Sequence, residues 1–341
     1  MNTNPWDDWD NEIQNNIKNA IKQEADRTKI AAKFLRHQDT ADPIVSDIQS
    51  DKVNVNTGTD SSLTVDSSTK TKVLEIQVEF ALTEQQYQKE ADWMTAVSLV
   101  IKAANMLSRA EDLLIFLGSD AQNNDLFKTV QITQGNTGTI EGLLPSATQI
   151  ISVKPTVINT SDPSQNRYGE NTFSAVARGY SILQNMRAGR IALVLPTNPF
   201  ADTWESVLQG SMIIPADRIK GLLADRIMQD LMIMPNDNRI ERLLANLINV
   251  LSVDKHFYST STLPNQFSND KKYSKPQGLL VALDGNTMDL VMLKEPDIQY
   301  MPNRGPLYHF RVYERFALRI KDPLAIVRLD FEKGSDKEQS V

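Results

Sequence analysis

The chain has 341 residues, 40% hydrophobic and 23% charged, with a formal net charge of −7 at neutral pH. Such a composition belongs to a globular protein with one large core or two to three smaller ones, and its acidity argues against non-specific adhesion to nucleic acid. The absence of cysteine excludes disulfides, thiolate metal sites and cysteine nucleophiles, and fits a reducing cytoplasm. No apolar run approaches the roughly 18 residues of a membrane span. The opening MNTNPWDD is polar and acidic, where a secretory signal is basic and then apolar.

Residues 11–36 have helical spacing. Ile13, Ile17, Ala20, Ile21 and Glu24 share one side, and Ile30, Ala31, Phe34 and Leu35 continue the stripe. A helix with one apolar stripe lies against something: its own core, a neighbouring subunit or a client peptide. Residues 38–72 are crowded with polar side chains. Within them Val53 and Val55, then Leu63 and Val65, alternate with polar residues on either side of a turn signal near Gly58. This predicts a two-stranded arm. An isolated ribbon is marginal in water, so the arm is expected to be ordered on another subunit, with simple disorder as the alternative.

Residues 73–80 alternate, with Leu74, Ile76, Val78 and Phe80 on one face, as in a half-buried strand. A polar link, 83–92, leads to a helix-period run from Trp93 through Val97, Val100, Ile101, Ala104, Leu107, Leu114 and Ile115 to a stop at Gly118. About 25 residues at about 1.5 Å each give a spine of roughly 37 Å.

Residues 120–139 are polar, and 155–171 read as a loop. A helix is expected over 172–186, ended by Gly189, then a buried strand at 191–195 closed by Pro196 and a short helix over 200–208. Between 210 and 269 two helical pieces, 218–232 and 239–251, lie among Pro215, Pro235 and Pro264. Residues 279–283 and 288–293 read as a strand pair around Asp284, Gly285 and Asn286. Strands are expected at 309–320 and 324–331, and a frayed tail at 332–341.

Little of this carries catalytic chemistry. His37, His256 and His309 are scattered, and none has a second ligand four residues on, so no metal site is expected. Nucleotide-binding glycine loops and a nucleophile elbow are absent, and Gly135 to Gly138 reads as a turn. The pair Glu111 and Asp112 supports a hydrolase only if it lies in a cleft. Lys271 and Lys272 are a short basic spot on a solvated surface.

The spine stretch resembles the encapsulin (linocin-like) family, shell proteins that share the tailed-phage major-capsid fold. The matching residues are VLEIQVEFAL at 73–82 and SRAEDLLIFLG at 108–118. GTIEGLL at 138–144, RIALVL at 190–195, LKEPDIQY at 293–300 and YERFALRIKDPLAI at 313–326 follow in the family's order. The resemblance is weakest over 210–269, where this chain is longer than the usual member.

The resemblance implies an α+β, capsid-like fold. Its parts are an N-terminal helix on the inner face (1–43), an extended loop or arm (44–72), a peripheral domain on the spine helix (73–145 and 270–331), an axial domain (146–269, extended near 210–269) and a flexible tail (332–341). It implies a non-enzymatic, cytoplasmic homo-oligomer without cofactor, closing into an icosahedral nanocompartment with pores for small solutes. The implied partner is a cargo enzyme, ferritin-like or of peroxidase type, docked by a short C-terminal tail; neither membrane nor nucleic acid is expected as a partner. Cargo-docking candidates are Arg27, Ile30, Ala31 and Phe34 on the helix, where EADRTKIA at 24–31 resembles the family, and Asp297, Ile298 and Tyr300 on the strand side. Alanines at 31 and 32 replace bulkier family residues. The bland alternative is that these residues only pack the helix onto the shell. The alternative function is a phage or prophage capsid enclosing DNA, against which stands the lack of an acidic coiled-coil segment before the shell region. Cross-linking through Lys52 in the arm is conceivable but not general in the family.

Overall fold

The computed structural model describes residues 4–39, 44–56, 62–66, 68–134, 138–156, 167–186, 190–205, 214–232, 276–283, 287–302 and 305–332. In chain order the elements begin with helices α1 (Pro5–Asp8) and α2 (Asn11–Thr28) and strands β1 (His37–Asp39), β2 (Asp47–Gln49), β3 (Lys52–Asn56), β4 (Ser62–Asp66), β5 (Lys70–Lys72) and β6 (Leu74–Leu82). Helices α3 (Glu84–Gln88), α4 (Glu90–Trp93) and α5 (Thr95–Leu117) follow, then β7 (Gln131–Gln134), α6 (Leu143–Ser146) and β8 (Gln149–Val153). The remainder is α7 (Gly169–Met186), β9 (Ile191–Val194), α8 (Thr197–Thr203), α9 (Pro215–Met232), β10 (Gln277–Ala282), β11 (Met288–Met301), β12 (Tyr308–Ile320) and β13 (Ile326–Phe331). The helix expected at 239–251, the arm tip at Gly58, the turn at 284–286, His256 and residues 333–341 lie outside the described residues.

The chain divides into two compact units, 1–145 with 288–321 and 146–287 with 322–341. Residues 276–287 and 322–332 thus lie in the second unit rather than with 288–321. The expected strand pair around 284–286 does not form. Instead β10 pairs with β9 and β13, while β11 pairs with β1 and β12. The local turn signal was sound chemistry for a turn, but each strand finds its ladder elsewhere.

The first unit is built on a five-stranded sheet, β1-β11-β12-β6-β7, on which α5 packs against β6 and β12 while α2 packs against α5 and β11. Ile17, Ile21, Ile76, Leu107, Leu114, Phe116, Phe310 and Phe316 fill the core, each such burial contributing about 1.5–3 kcal/mol. The spine helix begins at Thr95 because Met94 takes a left-handed conformation, and the buried Glu90 carboxylate accepts from Ala96 N (2.7 Å) and Val97 N (3.1 Å). A carboxylate satisfies the free N–H groups there and suits the positive end of the helix dipole. At the other end Gly118, with φ +60°, lies so close to the Ile140 carbonyl and Gly142 that a side chain at either glycine would strike backbone.

The alternation of β6 is not that of a half-buried strand. Its polar face is covered too: Glu75 and Gln77 are buried and take Arg311, at 3.0 Å and 2.6 Å. The arm is two consecutive antiparallel ladders, β2–β5 and β3–β4. Its root is fastened to β12 through Arg315 Nη2 to Val45 O (3.0 Å) and Arg319 Nη1 to Gln49 O (3.0 Å). Lys52 pairs with Glu141 at 2.7 Å.

In the second unit the sheet order is β8-β13-β10-β9, with β8 parallel to β13 and the other pairs antiparallel. Helix α7 packs on it through Val176 and Leu183, and Gly179 lets Leu280, Val327 and Ile151 approach.

Candidate docking groove

Helix α2 starts with Asp10 capping Ile13 N (2.8 Å). Just before it, Trp9 stacks on Tyr87 and Phe310 and donates to Tyr87 O (3.2 Å). The amphipathic run was expected to continue to residue 36; the helix instead ends at Thr28. The cause lies 82 residues away. The Asp112 carboxylate accepts from Ile30 N (2.9 Å) and Ala31 N (2.9 Å), taking the backbone out of helical conformation at Lys29.

Lys29 then turns into the core, where its Nζ meets Glu111 of α5 and Glu314 of β12, the latter at 2.7 Å. All three side chains are buried. Burial works against the Lys29 charge, but the two glutamates hold its pKa above the ordinary lysine value. Burial and the neighbouring Glu111 push Glu314 well above the ordinary glutamate range, against the pull of Lys29. Burial likewise raises Asp112, reinforced by Glu111 and opposed by the two backbone N–H groups. Glu111 and Asp112 are therefore enclosed structural groups rather than residues of a cleft, as a hydrolase would require. Among the described residues no cluster of His, Asp and Glu could hold a metal ion.

Opposite α2, strand β11 slips register between Met292 and Lys294 and again between Lys294 and Asp297. Pro296 lacks an N–H for the ladder, which favours such an irregularity. The bulge turns Lys294, Glu295, Pro296 and Asp297 toward α2 and encloses a groove of about 670 Å³. Its other lining residues are Lys18, Ile21, Lys22, Ala25, Asp26 and Lys29 of the helix and its exit, with Ala32, Lys33 and His37 beyond. The floor is apolar and small, and the α2 wall carries a row of lysines.

Of the residues singled out from sequence, Asp297 lines the groove, paired with Lys294 at 2.8 Å. Arg27 is exposed beside it and forks onto Glu24 (3.0 and 2.7 Å), which draws Glu24 below its ordinary pKa. Ile30 and Ala31 are buried against the core, and Phe34 sits edge-on to Phe116, with ring centroids 6.1 Å apart. Ile298 is buried in the β11–β12 ladder opposite Val312, and Tyr300 leans edge-on to Phe310 at 5.5 Å. Because the helix stops eight residues earlier than its pattern suggests, Ile30, Ala31 and Phe34 turn inward, and the 18–26 face forms the wall with Ala32 and Lys33. The spacing of Lys18, Ile21, Lys22 and Ala25 by three and four was the available signal.

The sequence matches, over residues 8–234, the model of a family described as encapsulating protein for peroxidase. The chain belongs to the encapsulin family. Its fold is that of tailed-phage major capsid proteins. A virus-like particle protein from Pyrococcus furiosus superposes with a TM-score of 0.54 at 13% identity, covering 92% of this chain and 98% of that one. The capsid protein of Myoviridae phage XM1 gives 0.51 at 14% identity over 89% and 92% of the two chains. A structure from Mycobacterium phage Ogopogo gives 0.51 at 11% identity, again over 89% and 92%. No curated protein sequence gives a significant match. This encapsulin is thus a structural protein of the shell or capsid type, and no described helix is long and apolar enough to cross a membrane.

Proposed function

We propose that this encapsulin closes in many copies into a hollow, cytoplasmic compartment, holds a cargo enzyme inside, and admits small solutes through openings between subunits. The first unit acts as peripheral domain and arm, and the second as the axial domain around symmetry axes. Each arm, rooted on β12 by Arg315 and Arg319, is completed by lying on a neighbouring copy, which offsets its ordering entropy. The cargo is a ferritin-like or peroxidase-type enzyme whose C-terminal tail lies in the groove between α2 and the β11 bulge. Arg27 and Asp297 flank that tail, while Ile30, Ala31, Phe34, Ile298 and Tyr300 support the groove from beneath. The family match over residues 8–234 carries this reading, since it spans the groove helix, the arm and the spine.

The test is co-purification. Particles isolated from the native host are expected to carry one dominant internal protein. Ala32→Trp, which projects an indole ring into the groove, is expected to yield intact particles without it. Cargo retained by Ala32→Trp particles would overturn groove docking. A capsid enclosing DNA is the second reading, favoured by the likeness to the XM1 capsid; nuclease-protected genomic DNA inside the particles would establish it.

A further inference from the structure

The charge around the groove restricts what can lie in it. Lys29 is neutralised within the core by Glu111 and Glu314, and Lys294 is paired with Asp297. Lys18, Lys22 and Lys33 remain, all exposed and without an ion pair among the described residues. Lys18 leans 5.7 Å from the Trp6 ring and Lys33 reaches Arg27 O at 3.4 Å, contacts that orient these ammonium groups without neutralising them. Asp26 and Glu295 are the exposed carboxylates on the lining. The α2 wall is therefore net positive, in a chain whose formal charge is −7.

Spacing adds a second restriction. Lys18 and Lys22 stand one helical turn apart, about 6 Å along the axis. Alternate residues of an extended peptide advance by about 6.5–7 Å. Carboxylates two residues apart can each meet one of these lysines, while the residue between them faces Ile21, Ala25 and Ala32. The alanines leave room for a branched aliphatic side chain but give it little side surface, so charge contributes much of the discrimination between occupants.

Resting on the docking reading above, we propose that the groove selects an acidic tail: an extended segment of Asp or Glu alternating with small apolar residues. Salt bridges at such an exposed rim are individually weak and are screened by salt. Three acting together amount to about a tenfold preference at low ionic strength.

The test uses assembled full-length protein and fluorescein-labelled synthetic peptides with one apolar pattern and Asp, Asn or Lys at the alternate positions, read by fluorescence anisotropy. The Asp peptide is expected to bind about tenfold more tightly than the Lys peptide, and about 0.5 M salt is expected to erase most of the difference. The variant K18E/K22E/K33E, changed only at exposed positions, is expected to invert the order. Equal or tighter binding of the Asn or Lys peptide, abolished by Ala32→Trp, would overturn acidic selectivity and leave groove docking standing. Asp-peptide binding undiminished by Ala32→Trp would overturn the groove as its site. No binding by any peptide would overturn the proposal outright, while cargo co-purification would still report on docking separately.

Discussion

Lys29→Met is the most informative single change in the first unit. Methionine keeps most of the lysine's length and volume but removes the cation that Glu111 and Glu314 share. Removing one partner of a buried ion pair costs about 3–5 kcal/mol, because it leaves uncompensated charge behind. One glutamate can relieve part of this by staying protonated, and Glu314 already holds its proton well above the ordinary range. The expected loss is therefore at the lower end, about 3 kcal/mol, or a fall of about 10 °C in the unfolding midpoint. Differential scanning fluorimetry on Trp6 and Trp9, which sit beside α2, reads it directly. The companion variant K29M/E111Q/E314Q removes the charges together and is expected to recover at least half of the loss, since buried ion clusters are often replaceable as a unit. A Lys29→Met midpoint within about 1 °C of wild type would refute a structural role for the cluster.

The same cluster sets a pH dependence. Glu314 has a folded pKa above its unfolded value, so its contribution is full in acid and is lost as pH rises toward the folded pKa; over that window the slope approaches about 1.4 kcal/mol per pH unit. Glu314→Gln is expected to flatten that decline in pH-dependent thermal scans. Asp289 behaves in the opposite sense. Burial works to raise it, but Arg319 and Lys321 hold it below the ordinary value, so its contribution is lost as pH falls through the folded pKa, and Asp289→Asn is expected to shrink the acid-side loss. Gly118→Ala places a side chain against the Ile140 carbonyl at positive φ and is expected to cost about 2–3 kcal/mol by urea unfolding. Arg319→Met removes the bond to Gln49 O and is expected to speed amide hydrogen exchange in β2 and β5 while leaving β6 slow.

The elements that were legible in the sequence are those whose pattern is local. The alternation of 73–80 and 309–320 and the helical stripe from Val97 to Ile115 each declare their element without help from the rest of the chain. The arm strands were legible for the same reason. What was not legible is fixed at a distance. Gln131–Gln134 has a single apolar residue, Ile132, and becomes a strand because β6 offers it a ladder. Gln149–Val153 gains its place from β13, nearly two hundred residues on. The end of α2 at Thr28 is set by Asp112, and nothing near residue 28 announces it. With the helix ending there, Ile30, Ala31 and Phe34 pack inward, Ile298 and Tyr300 pack along β11 and β12, and of the residues singled out Asp297 is the one on the lining. The charged face of β6 looked solvated because its partners, Arg311 and Arg315, belong to a strand more than two hundred residues away.

Electron microscopy of the purified full-length protein tests the central claim most directly. The expected result is closed, uniform, hollow particles in which the ribbon at 44–72 of each subunit lies on the neighbouring copy. Small discrete oligomers, with that ribbon folded back on its own subunit and no curved lattice under any condition in which the protein stays folded, would contradict it.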